Sequence, residues 1–138
     1  MSALPGAPLP EELLPASWER VTRAAGDLVA LGSHTVCHPN LTALHDTELE
    51  DELSRSHRQI LERTNQVPDA VAYPYGLWDP RVAHAAIRAG YRMGLTLEGG
   101  PMTTGQDLLA APRLNVPSGI SPEALECWAS GIRLRKPW

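Results

Sequence analysis

The 138-residue sequence has no run of about 20 apolar residues, the length that a helix needs to cross a membrane. Only two cysteines are present, Cys37 and Cys127, and no Cys-x-x-Cys pair, which excludes a disulfide scaffold. Positive charge is also scarce: 12 Lys and Arg against 16 Asp and Glu give a formal net charge of −4. No overall field therefore attracts phosphate backbones, and we expect no nucleic-acid partner. The first residues lack the basic and apolar stretches of a signal peptide, so the sequence as written predicts a cytoplasmic location.

The composition, 43% apolar and 20% charged, is typical of one globular domain. Four prolines fall within the first fifteen residues, which predicts an extended arm over residues 1–15. We assign residues 16–131 to a single domain and residues 132–138 to a solvated basic tail.

Helix caps and the spacing of apolar residues predict elements that alternate along this domain. The predicted order is a helix at 17–26, a strand at 27–33, a helix from Asp46 or Thr47 to Asn65, a strand at 69–76, a helix at 79–90, strands at 91–97 and 111–117, and a helix at 121–131. Strands separated by helices of ten or more residues indicate right-handed crossovers and a parallel sheet. The chain is too short for a closed barrel, which leaves an open α/β layer or part of a barrel.

Two histidines, His34 and His38, stand in the segment SHTVCHPNL, directly after the first predicted strand. Pro39 disfavours helical geometry at His38, so we expect a turn from strand to loop. The carboxyl ends of strands in α/β folds are where active sites collect. Two imidazoles that converge there suit zinc or a similar divalent metal. The alternative is one structural histidine and one exposed histidine.

The second feature is the segment Tyr73-Pro74-Tyr75-Gly76, at the end of the next predicted strand. Pro74 stiffens the turn, and Gly76 permits backbone angles that other residues avoid. Such a turn can aim a backbone N–H into a cleft as an oxyanion donor, and its tyrosines could line a sugar-binding groove. The alternative is a plain turn with buried tyrosines.

Three tryptophans are interpreted first as packing residues: Trp18, Trp78 and Trp128. Trp78 lies beside the Tyr-Pro-Tyr-Gly turn and is therefore the best placed of the three to stack on a sugar ring.

Three segments, in their order along the chain, resemble motifs of the NodB-homology polysaccharide deacetylases, carbohydrate esterase family 4: SHTVCHPNL, AYPYG and APRLNVP. The resemblance covers roughly residues 16–130. It implies a partial (β/α) barrel, a divalent metal, usually zinc, and hydrolysis of N-acetyl or O-acetyl groups on a sugar polymer. His34 and His38 match the family's two histidine ligands. Tyr75 matches the residue whose backbone N–H stabilises the oxyanion. From their place in and beside the turn, we predict Tyr73, Pro74 and Trp78 as substrate-binding residues.

The sequence departs from the family pattern in three places. It has no Asp-Asp pair, which in the family supplies the base and the third ligand, and no histidine after His84 to match the late catalytic one. Ala72 replaces the arginine that often precedes the proline-tyrosine-glycine turn. We interpret the sequence as the middle and late portion of a deacetylase. Two histidines alone make a weak zinc site, and unpaired sheet edges predict a homo-oligomer.

Other residues could substitute for the absent ligands, each with a plainer role beside it. His45 and Asp46 could complete the site, or Asp46 could cap its helix and leave His45 exposed. Asp79 could face the cleft or cap a helix, and Cys37 could be a nucleophile or a buried thiol. His57 and His84 are interpreted as ordinary helix residues.

The leading hypothesis is a metal-dependent deacetylase acting on an acetylated polysaccharide or amino sugar. The alternative is a catalytically inactive α/β module that binds glycan or protein, or a relic of the enzyme. The family often works at the cell envelope, which leaves the location open.

Overall fold

The computed structural model describes residues 14–26, 29–113, 115–116 and 118–130, except the side chain of Trp128. Its helices are α1 (Trp18–Ala24), α2 (Asp46–Thr64), α3 (Pro80–Ala89) and α4 (Pro122–Ala129), and its strands are β1 (Ala70–Ala72) and β2 (Met93–Leu95). Short 3₁₀ turns occupy Leu41–Ala43, Pro74–Gly76 and Leu108–Ala110. No helix in these ranges is long and apolar enough to cross a membrane. Most of the predicted arm and all of the predicted basic tail lie outside the described residues.

The helix ends follow from local capping chemistry. Asp79 caps α3, because its Oδ1 accepts a hydrogen bond from the Val82 N–H at 2.8 Å, and Pro80 occupies the first helical position. The predicted cap of α2, Asp46 or Thr47, is wrong by one or two residues: His45 is the cap, and the Glu48 carboxylate accepts a hydrogen bond from its N–H at 3.1 Å. Asp46 is thereby placed inside the first turn of the helix.

Four parallel segments lie side by side in the order Ser33, β1, β2 and Ala111. The Ser33 N–H donates to the Ala70 carbonyl and the Ala72 N–H donates to the Ser33 carbonyl, both at 2.8 Å. Strand β1 pairs with β2 through the registers Ala70–Met93, Val71–Gly94 and Ala72–Leu95, and Ala111 then pairs with Leu95. The predicted parallel arrangement with helical crossovers is confirmed.

The strands are shorter than the apolar runs that predicted them. Strands β1 and β2 have three residues each, and Ser33 and Ala111 form single bridges. At the start of the predicted first strand, Val29 forms an antiparallel bridge with Gly26, and residues 27–28 lie outside the described set. The regular pairing is therefore concentrated where β1 and β2 meet.

The core lies between the sheet and the pair α2 and α3. Its buried members are Leu41, Leu49, Leu53, Val71, Tyr73, Val82, Ala85, Ala86 and Tyr91. Leu61 on α2 and Ile87 on α3 are exceptions among the apolar residues of these helices, because they are exposed by 36% and 53%. Ile87 follows Val82 by five residues, which is well past one full turn of a helix. It therefore lies off the stripe that Val82, Ala85 and Ala86 present to the sheet.

Arg81 joins the start of α3 to the segment that follows the histidine motif. Its guanidinium donates to the carbonyls of Leu44 at 3.0 Å and Thr42 at 3.1 Å, and to the Asp46 carboxylate at 2.8 Å. A planar fork of donors can satisfy several acceptors at once, which an ammonium group cannot reproduce. Arg81 therefore holds the turn at 41–44 against α3.

We expect Arg81→Ala to lower the free energy of unfolding by about 1–2 kcal/mol, since half-buried carbonyls lose charged donors. Arg81→Lys should recover less than half of that loss. Arg92 is the matched control, because it is largely exposed and approaches Asp69 only at 4.0 Å. Arg92→Ala should change stability by no more than about 0.5 kcal/mol in urea unfolding followed by circular dichroism. Equal effects at the two positions would contradict the assignment.

Candidate functional site

The parallel pairing brings the segments that follow each strand to one edge of the sheet. His34 follows Ser33, Tyr73 follows β1, Thr96 follows β2 and Pro112 follows Ala111. This carboxyl edge is where α/β folds place their binding and catalytic groups. It therefore holds both sequence motifs, although they are about 35 residues apart in the chain.

His34 is held in a defined orientation by the neighbouring strand. Its Nδ1 lies 2.7 Å from the carbonyl oxygen of Ala72, the last residue of β1. A carbonyl can only accept, so in the neutral imidazole this hydrogen bond places the proton on Nδ1 and leaves Nε2 with its lone pair. Histidines that bind metals are typically oriented in this way by a carbonyl or carboxylate.

His38 lies next to His34 and to Tyr75. The His34 and His38 rings meet edge to face with centroids 4.6 Å apart, and the His38 and Tyr75 rings do so at 4.7 Å. All three side chains are exposed. The structure thus brings together the two predicted ligands and the predicted oxyanion residue from the other motif.

The backbone at this edge is strained. Thr35, His38 and Tyr75 have φ values of 67°, 56° and 58°, and the one other non-glycine residue with positive φ in the described ranges is Asn65, which ends α2. Each such conformation costs on the order of 1–2 kcal/mol for a residue with a side chain. Strain of this kind persists only where surrounding contacts enforce it, and it concentrates at functional sites.

The turn at Pro74–Gly76 leaves a backbone donor available. Its own hydrogen bonds run from the Gly76 N–H to the Tyr73 carbonyl at 2.9 Å and from the Leu77 N–H to the Pro74 carbonyl at 3.1 Å. Within the described part of the chain, no hydrogen bond uses the N–H of Tyr75. Gly76 is required here, because its φ is 68° and a side chain would meet Leu97 at 2.6 Å.

Tyr73 and Pro74, predicted to bind substrate, are buried in the core. The Tyr73 hydroxyl donates to the Leu109 carbonyl at 3.0 Å and passes so close to Gly94 that no side chain fits there. Burial, and next the charge of Asp107, raise the pKa of Tyr73 to about 12. A sugar polymer cannot reach these two side chains, so the interpretation as a turn with a buried tyrosine describes Tyr73 better.

Trp78, the third predicted substrate residue, is half-buried. Its ring lies nearly parallel to Tyr73, with centroids 6.4 Å apart and 13° between the planes. Trp78 therefore packs against the core and keeps an exposed portion near the turn. Trp18 is exposed on α1 and lies away from both motifs in the chain.

The other candidate ligands have different partners. Asp46 pairs with Arg81 and Asp79 caps α3. His57 packs against Tyr91 with centroids 5.1 Å apart, and His84 is exposed on α3. Cys37 is exposed, so its interpretation as a buried thiol is wrong.

The histidine pair fits a divalent metal as two of its ligands. His34 presents a free Nε2 and His38 lies beside it, as a pair of imidazole ligands requires. Over residues 14–26, 29–113, 115–116 and 118–130, no group of three or more His, Cys, Asp or Glu side chains is close enough to hold a metal. A complete centre therefore needs a further ligand from outside this set.

Glu52 is a contributor that sequence reasoning missed. One of its carboxylate oxygens, Oε2, accepts hydrogen bonds from the N–H groups of Val36 and Cys37, at 2.8 and 3.0 Å. Glu52 is in the middle of α2, where a charged residue is typical of a solvated helix face. No spacing rule connects it to the histidine loop, so only the tertiary structure reveals it.

The chain belongs to the polysaccharide deacetylase family, whose sequence profile matches residues 10–94, well over half of the chain. The resemblance inferred from the motifs is thereby confirmed.

Two curated relatives agree. The chain is 26% identical over 115 residues to YxkH of Bacillus subtilis (strain 168), a candidate polysaccharide deacetylase, covering 83% of this chain and 41% of that protein. It is 34% identical over 73 residues to a chitooligosaccharide deacetylase of Rhizobium leguminosarum bv. trifolii, covering 53% of this chain and 33% of that protein. The chain thus spans less than half the length of these relatives.

Solved structures confirm the fold as that of the NodB-type deacetylases, a (β/α) barrel that this chain forms in part. The deacetylase PplD of Streptococcus pyogenes, solved with acetate, superposes with a TM-score of 0.77 at 23% identity, over 90% of this chain and 54% of PplD. A polysaccharide deacetylase from Bacillus cereus superposes with a TM-score of 0.65 at 26% identity, over 75% of this chain and 32% of that one.

The buried Tyr73 gives a prediction about pH. Because its pKa is about 12 in the fold and 10.0 for an unperturbed tyrosine, the fold favours the neutral phenol. The contribution of this preference to the free energy of unfolding is fully present below pH 10. It is lost as the pH rises toward 12, by up to about 1.4 kcal/mol per pH unit. Tyr73→Phe removes the hydrogen bond to Leu109 and should cost about 1 kcal/mol at pH 8.

Phe does not titrate, so the stability difference between wild type and Tyr73→Phe should shrink or reverse by pH 11. Urea unfolding at pH 8, 10 and 11 measures it. Tyr75→Phe, at an exposed position, is the control and should track the wild type. If the difference in free energy of unfolding between wild type and Tyr73→Phe stays constant across this range, folding does not raise the pKa of Tyr73.

Proposed function

We propose that this chain carries the histidine metal ligands and the oxyanion donor of a carbohydrate deacetylase that hydrolyses N-acetyl or O-acetyl groups on a polysaccharide or amino sugar. The observation that carries the proposal is the meeting of His34, His38 and Tyr75 at the carboxyl edge of the sheet. Membership of the polysaccharide deacetylase family supports it. The relatives' names supply the substrate class.

The residues of the edge take distinct roles in this proposal. His34, through Nε2, and His38 hold a divalent metal, of which zinc is the first choice because it prefers imidazole nitrogen. Bound there, the metal supplies Lewis-acid polarisation of an acetyl carbonyl. The Tyr75 N–H donates to the carbonyl oxygen as negative charge develops on that oxygen. The stabilisation from this hydrogen bond is largest where water is excluded.

Three exposed apolar side chains form a rim beside the Tyr-Pro-Tyr-Gly turn at this edge. Tyr75, Leu77 and Leu97 are exposed by 60%, 45% and 41%. Trp78, half-buried beside the turn, adds an aromatic face. Pyranose rings present apolar C–H faces that pack on such side chains, so the rim and Trp78 replace Tyr73 and Pro74 as the proposed sugar contacts.

One observation favours a second candidate, an inactive glycan-binding or protein-binding module. Within the ranges that the structure describes, no carboxylate joins the histidine pair to complete a metal site. Catalysis needs a third ligand as well as a proton acceptor near the acetyl group, and the third ligand must then come from outside the described residues or from another chain. The two candidates differ in measurable ways.

Native mass spectrometry with added Zn²⁺ tests the metal site. We expect about one zinc per chain. His34→Ala and His38→Ala should each weaken zinc binding by more than about 100-fold. This loss is larger than the loss typical of residues that only support a ligand. His45→Ala is the matched control, because His45 is exposed at the start of α2. It should bind zinc like the wild type. Binding that survives both site substitutions would contradict the assignment.

Acetate release from acetylated chito-oligosaccharides, measured with zinc present, separates the candidates. Release by the wild type that His34→Ala abolishes supports the deacetylase. Zinc binding or glycan binding with no acetate release identifies the inactive module.

We further propose that the chain forms a homo-oligomer, because single-bridge segments at Ser33 and Ala111 border the described sheet. Sedimentation velocity should show a species of at least twice the chain mass. The protein concentration is varied over a roughly 10- to 100-fold range that starts near micromolar. A monomer across the whole range would refute this expectation.

A further inference from the structure

The loop between the two histidines satisfies its backbone in an unusual way. The N–H groups of residues 35 to 38 all donate to side-chain oxygens. Thr35 donates to Ser33 Oγ at 3.2 Å, His38 donates to Thr35 Oγ1 at 3.1 Å, and Val36 and Cys37 donate to Glu52 Oε2 at 2.8 and 3.0 Å. No strand or helix ladder supports this segment, so these four bonds define its shape.

Glu52 is the partner that comes from a different element. Ser33 and Thr35 belong to the segment itself, whereas Glu52 lies on α2, fifteen and sixteen residues away from its two donors. Successive N–H groups that follow a residue of positive φ form a concave anion site, and Thr35 has a φ of 67°. The Glu52 carboxylate occupies this concavity and ties the loop to the helix.

The anchorage is rigid. On the two flanks of Glu52, Leu49 and Leu53 are buried in the core by 99% or more, so α2 cannot shift without disturbing the core. Hydrogen bonds from N–H groups to a carboxylate are roughly twice as strong as neutral ones. Such contacts can hold Thr35 and His38 in conformations that would otherwise relax.

We infer that Glu52 is a positioning residue that sets the spacing of His34 and His38 for a divalent cation, an inference that rests on the proposed function. Glu52 is not itself a ligand, because it forms no three-residue metal cluster with the histidines in the described part of the chain. It acts through the backbone: its carboxylate fixes residues 36 and 37, and these fix the histidines on either side.

Zinc affinity, measured by competition with a chromophoric chelator, tests the inference. Glu52→Ala removes both acceptor contacts and should weaken zinc binding by about 10- to 100-fold. Glu52→Gln keeps an acceptor oxygen but loses the charge, so it should weaken zinc binding less than Glu52→Ala does. Glu62→Ala is the matched control, since Glu62 is exposed on the same helix and approaches Arg58 only at 4.0 Å.

A second readout keeps the test independent of the metal. In the metal-free protein, amide hydrogen exchange at Val36 and Cys37 should accelerate at least tenfold in Glu52→Ala and less in Glu52→Gln, with Glu62→Ala close to the wild type. Urea unfolding establishes that each variant is folded. Zinc affinity unchanged in Glu52→Ala, or equally weakened in Glu62→Ala, would overturn the inference.

Failure of the proposed function has a different signature. If the wild type binds no zinc, the metal site fails, and the role of Glu52 is decided by the histidine ring resonances in NMR spectra of the metal-free protein. Shifts of the His34 and His38 rings in Glu52→Ala, without shifts in Glu62→Ala, support positioning. Unchanged rings overturn it.

Discussion

The parallel hydrogen bonds between Ser33 and β1 are the interaction on which the rest of this edge depends. They place the end of one segment beside the end of the next, so that residue 34 lies against residue 72. The bond from His34 Nδ1 to the Ala72 carbonyl is a direct consequence, since it extends the same alignment by one residue. A shift in register would move the carbonyl away from the ring and separate the two motifs.

Around this alignment, the histidine loop is held by side chains instead of by regular pairing. Positive φ at Thr35, His38 and Tyr75 has an energetic cost, and the hydrogen bonds of Ser33, Thr35 and Glu52 offset it in the histidine loop. The result is an exposed group of rings on a backbone that is fixed from both sides. A loop held in this way presents its two histidines in a fixed arrangement, which is what the proposed metal site requires.

Much of the architecture could be predicted because it depends on local chemistry. Asp79-Pro80 and Gly90 mark the ends of α3, the tyrosine motif follows β1, and the histidine motif follows the parallel bridge at Ser33. Strand lengths could not be predicted, since an apolar run shows burial and does not show pairing. The role of Tyr73 was also misjudged: its burial depends on the space that Gly94 leaves beside Leu109, and these residues are far apart in the chain.

The sequence alone determined the family and the parallel α/β class, and it singled out the histidine pair as a candidate site, because capping, spacing and motif order are local properties. The tertiary structure decided which side chains meet. It placed Tyr75 against His38, buried Tyr73, exposed Cys37 and brought Glu52 under the loop. Contacts of this kind join residues 15 to 40 positions apart, and they depend on how helices and strands pack, which no short stretch of sequence encodes.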